Sequence, residues 1–372
     1  MNLWQFAFSG PTRIFFGDGV IEEAGRHLPF SDNVIIVAGR SSAARTGHLD
    51  KLLAALAGKR VSVFTGISPN PRLSEINAAA AQGLSAGATA VIGLGGGSAL
   101  DAAKAVAAAM AGADIAALLR DNKPAPADTF PIVCIPTTAG TGSETSQAAI
   151  VSDDSRGVKQ GLRGAALIPR LAIVDPELLA TLPDVVAAET GFDVLTHALE
   201  TWVSLRHSAL TAVYSRHAIA AVFKHLPLFL DDRDHRESRR EMALASLMMG
   251  WNLANSSTAL PHRMQYPVGS RTDTSHPAGL AALYPAWSRR AALAAPEPFQ
   301  FIGSLAGNGD PQAGRDHLLA FMKSIAVVRR LSDFGLTRED CPGLAAAVQA
   351  TPGTDPCDSS LRSLQEIYEA SV

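Results

Sequence analysis

Asp193 and His197 stand four residues apart in GFDVLTHALETW, a stretch of helical composition. That spacing puts both side chains on one helix face, where a carboxylate oxygen and an imidazole nitrogen can reach a common point. Alone, such a pair reads as an ordinary contact on a solvated helix. Two more histidines, His262 and His276, bracket the segment PHRMQYPVGSRTDTSH. One carboxylate and three imidazoles together make a ligand set for Fe2+ or Zn2+. The residues between the two histidines are polar, include a proline and a glycine, and keep no steady period. They read as a loop held at both ends by one ion, with Arg263, Tyr266 and Arg271 as candidates to face a substrate.

A second chemistry is written into VIGLGGGSALDAAK (91–104), which runs strand, glycines, helix. Glycines admit a ligand close to the backbone, and a helix N-terminus offers unpaired N–H groups and the positive end of a dipole. Ser98 is placed to cap that helix, and Asp101 three residues on completes a capping box. As a dinucleotide fingerprint the stretch is incomplete: Gly93 and Gly95 are followed by Ser98 where a third glycine belongs. IPTTAGTGSET (135–145) adds a loop dense in hydroxyl and N–H donors. Read separately, these are a tight turn and a polar turn. Two such loops at the C-terminal ends of parallel strands point to a nucleotide.

The elements that must carry these groups follow from hydrophobic pattern. NVIIVAG (33–39), VSVFTG (61–66), TAVIGLGGG (89–97) and FPIVCIPT (130–137) read as buried strands, with helical composition at 43–58, 73–87 and 99–111 between them. That alternation predicts a parallel sheet with helices on both faces. Beyond about residue 186 the β-rich runs stop, and 186–205, 208–230 and 236–257 read as helices. The predicted fold is an α/β N-terminal domain over 1–180 and an all-α domain over 181–372, with a cleft where they meet. A net charge of -3 with scattered Lys and Arg argues against a nucleic-acid partner. The three cysteines lack metal-type spacing and are too few for a disulfide framework. MNLWQFAFSG is no signal peptide, and no apolar run approaches the roughly 18 residues of a membrane span. A soluble, cytoplasmic protein is expected.

Taken in order, GGGSALDAAK, PTTAGTGSET, the Asp-x3-His of DVLTHALE and the His-x13-His of 262–276 resemble the iron-containing (group III) alcohol dehydrogenase family, within the dehydroquinate synthase-like superfamily. The resemblance extends from PTRIFFGDG (11–19) to LQEIYEAS (364–371). It implies a dinucleotide-binding domain, a helical metal-binding domain and a homodimer. Residue by residue it implies Asp193, His197, His262 and His276 as ligands of Fe2+ or Zn2+. It likewise implies Asn70, Gly96, Gly97, Ser98, Thr137, Thr138, Thr141 and Lys159 as contacts of NAD(H) or NADP(H). The implied reaction is hydride exchange between the nicotinamide and a small alcohol or aldehyde.

Three positions depart from the family pattern. Where relatives often carry an acidic residue for the adenosine ribose, this chain has Gly39 and then Arg40. Gly39, Arg40 and Ser41 therefore favour a 2′-phosphate, and NADP(H) over NAD(H). Tyr266 stands where relatives often have a histidine, which makes it a candidate proton relay, and Pro277 replaces the glycine that commonly follows the last ligand. Arg263, if it faces the cleft, favours an acidic aldehyde. Three alternatives share enough of this pattern to stand beside it: a dehydroquinate synthase-like lyase, a hydroxyacid–oxoacid transhydrogenase, and a non-catalytic nucleotide-binding relative.

Overall fold

Val34, Ile35, Ile36 and Val37 are all inaccessible to solvent, so their strand is covered on both faces. Alternation along a strand sends Ile35 and Val37 to one apolar layer and Val34 and Ile36 to the other. This is the signature of a parallel sheet sandwiched by helices. In the computed structural model, which describes residues 3–28, 30–40, 42–348 and 353–372, that sheet has six strands.

They are β1 (Arg13–Phe16), β2 (Asn33–Gly39), β3 (Arg60–Ile67), β4 (Ala90–Gly95), β5 (Ile132–Pro136) and β8 (Leu171–Val174), with β6 (Ala148–Asp153) and β7 (Val158–Arg163) paired separately as an antiparallel hairpin. The spatial order is β1-β8-β5-β4-β2-β3, every pair parallel. The helix Gly97–Met110 packs its alanine-rich face on the sheet, and its small side chains allow close approach.

Two compact units result. The α/β unit contains Gly10–Leu182 and also Arg233–Gly250. The helical unit contains Pro183–Asp232 and Trp251–Val372, together with Met1–Ser9. A single cut at residue 180 does not describe those two exchanges. From Arg236 on, the segment Arg233–Gly250 lies in the helix Arg236–Asn255, whose Ser246, Leu247 and Gly250 touch the threonine loop described below. Among the described residues no helix is long and apolar enough to cross a membrane.

Candidate functional site

In the helical unit, Asp193 and His197 lie on the helix Asp184–Val203, and His262 on the helix Leu260–Thr272. His276 opens the helix His276–Ala294. The stretch between His262 and His276 is therefore not the expected loop: all but its last few residues are helical. Pro261 is tolerated in the first turn, and Pro267 forfeits only one intrahelical bond. Leu260, Met264 and Val268 supply a buried stripe that repays it. Asp273 in the left-handed region ends the helix, and Ser275 caps the next by accepting from the Ala278 N–H.

These elements bring one ligand atom each of Asp193, His262 and His276 within 4.8 Å of one another. His276 Nε2 and His197 Nδ1 are both 3.9 Å from Asp193 Oδ1. The His262 ring lies 4.6 Å from that of His197 and 4.9 Å from that of His276, centroid to centroid. Asp193, His197 and His262 are buried, and His276 keeps partial access to solvent.

The chemistry of the set suits a divalent ion. His262 Nε2 is buried without a hydrogen-bond partner among the described residues. A bare buried polar nitrogen costs about 1–3 kcal/mol, so it calls for a partner that completes it. Burial pushes the His262 pKa down to about 4, which keeps the imidazole neutral and its lone pair available at neutral pH. Its other nitrogen, Nδ1, is 2.7 Å from Glu200 Oε1. Glu200 also accepts from the Ala259 N–H at 3.0 Å and lies 3.2 Å from the Tyr284 hydroxyl. Burial pushes Glu200 up to about 8 and raises Tyr284, because the charged form of each is penalised in this dry surrounding.

Glu200 was not singled out by sequence reasoning, yet it lies three residues after His197 and seven after Asp193, on the same helix face. Gln265, three residues after His262, was missed in the same way. Its Oε1 is 2.6 Å from His276 Nδ1. The half-buried Tyr266 has its ring 6.5 Å from that of His276. Arg263 is close enough for its positive charge to help lower the His262 pKa, second to burial and against the pull of Asp193. Arg271 is engaged elsewhere, pairing with Asp340 at 3.2 Å.

In the α/β unit the glycine turn leaves β4 at Gly95, whose φ of 147 excludes other residues, and the helix begins at Gly97. The expected capping by Ser98 does not occur. The helix starts two residues too early for it, so Gly96 is the cap and Ser98 Oγ instead donates to the Pro69 carbonyl. Asp101 likewise turns away from the helix N-terminus. It accepts from Ser143 Oγ at 2.6 Å and from the Ile150 N–H at 2.8 Å, tying the helix to the threonine loop.

That loop packs on the glycines. A Cβ on Gly96 would sit 3.2 Å from the Thr138 methyl, and one on Gly97 would collide with Thr141. The Thr137 N–H donates to the Gly95 carbonyl at 2.9 Å. Behind the loop, the Gly140 N–H donates to Ser246 Oγ at 2.8 Å and Thr145 Oγ1 donates to the Leu247 carbonyl at 3.0 Å. Gly142 and Gly250 meet backbone to backbone.

Lys159 Nζ donates to Asn70 Oδ1 at 2.9 Å. Asn70 continues into a polar chain: Ser68 Oγ donates to its carbonyl, and Glu75 accepts from Ser68 and from Arg40 Nη2 at 2.9 Å. Burial raises the Glu75 pKa, but hydrogen bonds from Ser68, Arg72 and Arg40 outweigh it and hold this carboxyl below its usual range. Arg40 is thus already paired, although most of its side chain is exposed. Gly39 ends β2, and Ser41 lies outside the described residues.

Residues 11–176 match the family model "Iron-containing alcohol dehydrogenase", and residues 187–372 match "Fe-containing alcohol dehydrogenase family, C-terminal". A 1-propanol dehydrogenase of Salmonella typhimurium is 36% identical over 277 residues, 74% of this chain and 70% of that protein. A probable alcohol dehydrogenase of Escherichia coli is 31% identical, covering 98% of this chain and 94% of its own. Among solved structures, an archaeal halo-thermophilic alcohol dehydrogenase from a Red Sea brine pool superposes with a TM-score of 0.91 at 26% identity, covering 99% of each chain. The sulfoacetaldehyde reductase of Bifidobacterium kashiwanohense, solved with NAD+, gives a TM-score of 0.89 at 28% identity over 98% of each chain.

Proposed function

This chain belongs to the iron-containing alcohol dehydrogenase family of metal-dependent, NAD(P)-linked oxidoreductases, and from that premise we propose that it reduces short aldehydes bearing an anionic group, with NADPH as the preferred donor. The observation that carries the metal-dependent reading is the buried, unpartnered Nε2 of His262 beside Asp193 and His276. Asp193, His197, His262 and His276 would hold a divalent ion, which would supply Lewis acidity toward a carbonyl oxygen.

The chain's own residues do the rest. Glu200 orients His262, so that its Nε2 keeps a lone pair toward the donor set. Tyr266, one helical turn beyond His262, hands a proton from its hydroxyl to the product oxygen. Gly96, Gly97, Ser98, Thr137, Thr138 and Thr141 would hold the phosphates of the dinucleotide, and Asn70 with Lys159 would contact the same cofactor. One relative's own substrate, named in sulfoacetaldehyde reductase, is an anionic aldehyde.

Arg263 supplies the selectivity for charge. A guanidinium near the donor set is worth more to an anionic substrate in a dry site than in water. In a panel of equal-length aldehydes, the sulfonated or carboxylated member is expected to show a kcat/KM roughly tenfold or more above the neutral one. Arg263→Ala should bring the two within about twofold, a gap too small for any charge-assisted pair. Equal rates for both aldehydes in the wild type would dispose of the anionic substrate. Tyr266→Phe should lower kcat more than it raises KM, since a proton donor is felt mainly in the transition state.

Arg40, steadied by Glu75, takes the 2′-phosphate. Because its guanidinium is largely exposed, the contact is modest. Arg40→Ala should lower kcat/KM with NADPH roughly tenfold and leave NADH nearly unaffected. A wild-type preference for NADH that survives this substitution would overturn the cofactor choice.

A further inference from the structure

We propose that Gln265 is a positioning residue for His276, and that Gly269 and Gly279 are the space it requires. The proposal rests on the metal reading given above. His276 presents Nε2 to Asp193 at 3.9 Å and Nδ1 to Gln265 Oε1 at 2.6 Å, so the two ring nitrogens face opposite partners. An amide oxygen can only accept. It therefore selects the tautomer in which Nδ1 carries the proton and Nε2 keeps the lone pair that an ion needs.

Glu200 faces His262 in the corresponding way, with an oxygen of its carboxyl group 2.7 Å from Nδ1. At His276 a neutral amide gives the same orientation without placing a second buried carboxyl behind the donor set. One helix, Leu260–Thr272, thus carries both an imidazole of the set and the anchor for another.

Stability alone does not explain a glutamine here. Gln265 is fully buried, and its Nε2 has no hydrogen-bond partner among the described residues. A leucine would fill similar volume without burying that unpaired N–H group. The neighbours are also shaped to it. A Cβ on Gly269 would sit 2.9 Å from Gln265 Nε2, and one on Gly279 would sit 2.9 Å from its Cγ. Any larger residue at either place must displace the amide that holds His276.

The test uses Co2+ as the probe, followed by its d–d absorption and by calorimetry on the metal-free full-length protein. Gln265→Leu is expected to weaken Co2+ binding about 10- to 100-fold and to shift the absorption band. Its kcat should fall while the affinity for NADPH, measured by fluorescence, stays that of the wild type. Gln265→Glu, which keeps the acceptor oxygen, should stay within a few-fold of wild-type Co2+ affinity. If Gln265→Leu fails to fold, Gly279→Ala displaces the amide instead and carries the same expectations. Unchanged Co2+ affinity and spectrum in a folded Gln265→Leu or Gly279→Ala would overturn the positioning role and leave the metal reading standing. A wild-type protein that takes up no Co2+ would overturn both.

Discussion

Replacing His262 with alanine is expected to lower kcat by about a thousandfold or more while nucleotide affinity is unchanged. The size follows from what is lost. Stabilising charge on a reacting oxygen is worth several kcal/mol, and each 1.4 kcal/mol or so is a factor of ten in rate. The substitution also strips Glu200, a buried carboxyl, of the imidazole 2.7 Å away. Some loss of thermal stability should therefore accompany the loss of turnover. Nucleotide affinity is the control, because the glycine and threonine loops belong to the other compact unit. Steady-state kinetics with fluorescence titration of NADPH measures both. Turnover within tenfold of wild type would exclude His262 from the reaction.

Gly97→Ala is expected to weaken nucleotide binding by about 10- to 100-fold while uptake of a divalent ion is unaffected. A Cβ at residue 97 would run into the methyl and hydroxyl of Thr141. The helix N-terminus and the threonine loop cannot both keep their places, and the N–H groups proposed to cradle a pyrophosphate would be lost from reach. Relief by retreat of the loop is blocked from behind. Ser246 and Leu247 hold it by hydrogen bonds, and Gly142 already meets Gly250 backbone to backbone. Binding of NADPH to the variant, compared with Co2+ binding to the same preparation, separates the two effects. Wild-type nucleotide affinity would show that the turn has slack that the packing denies.

Much of this was legible because local pattern and tertiary role agree. NVIIVAG announces a strand buried on both faces, and β2 spans those residues. β1 and β8 are four residues each, too short to signal through composition alone. Burial alternates strictly along β6, but its buried positions include Asp153 and its half-buried ones include Ile150, so polarity does not follow the alternation. That Asp193 and His197 share one helix face was legible from the Asp-x3-His spacing, because a helix repeats every 3.6 residues. The same period pointed to Glu200 and Gln265. Neither was read, since a carboxylate or amide on a helix has many ordinary uses. Pro267 and Gly269 make the segment after Leu260 read as a loop, but the buried Leu260, Met264 and Val268 at helical spacing weigh more. Ser98 misses the cap position by two residues of register, which composition does not resolve. The placement of Arg233–Gly250 in the α/β unit was out of reach, since nothing in a helix names the unit it packs on.

The most direct measurement is a metal titration of the chelated protein, reading bound ion and aldehyde reduction on the same samples. One ion per chain is expected, with activity absent at zero occupancy, rising in proportion to it and levelling at one equivalent of Fe2+ or Zn2+. Full aldehyde reduction by the metal-free protein, or activity that does not follow occupancy, would contradict a reaction that depends on Asp193, His197, His262 and His276.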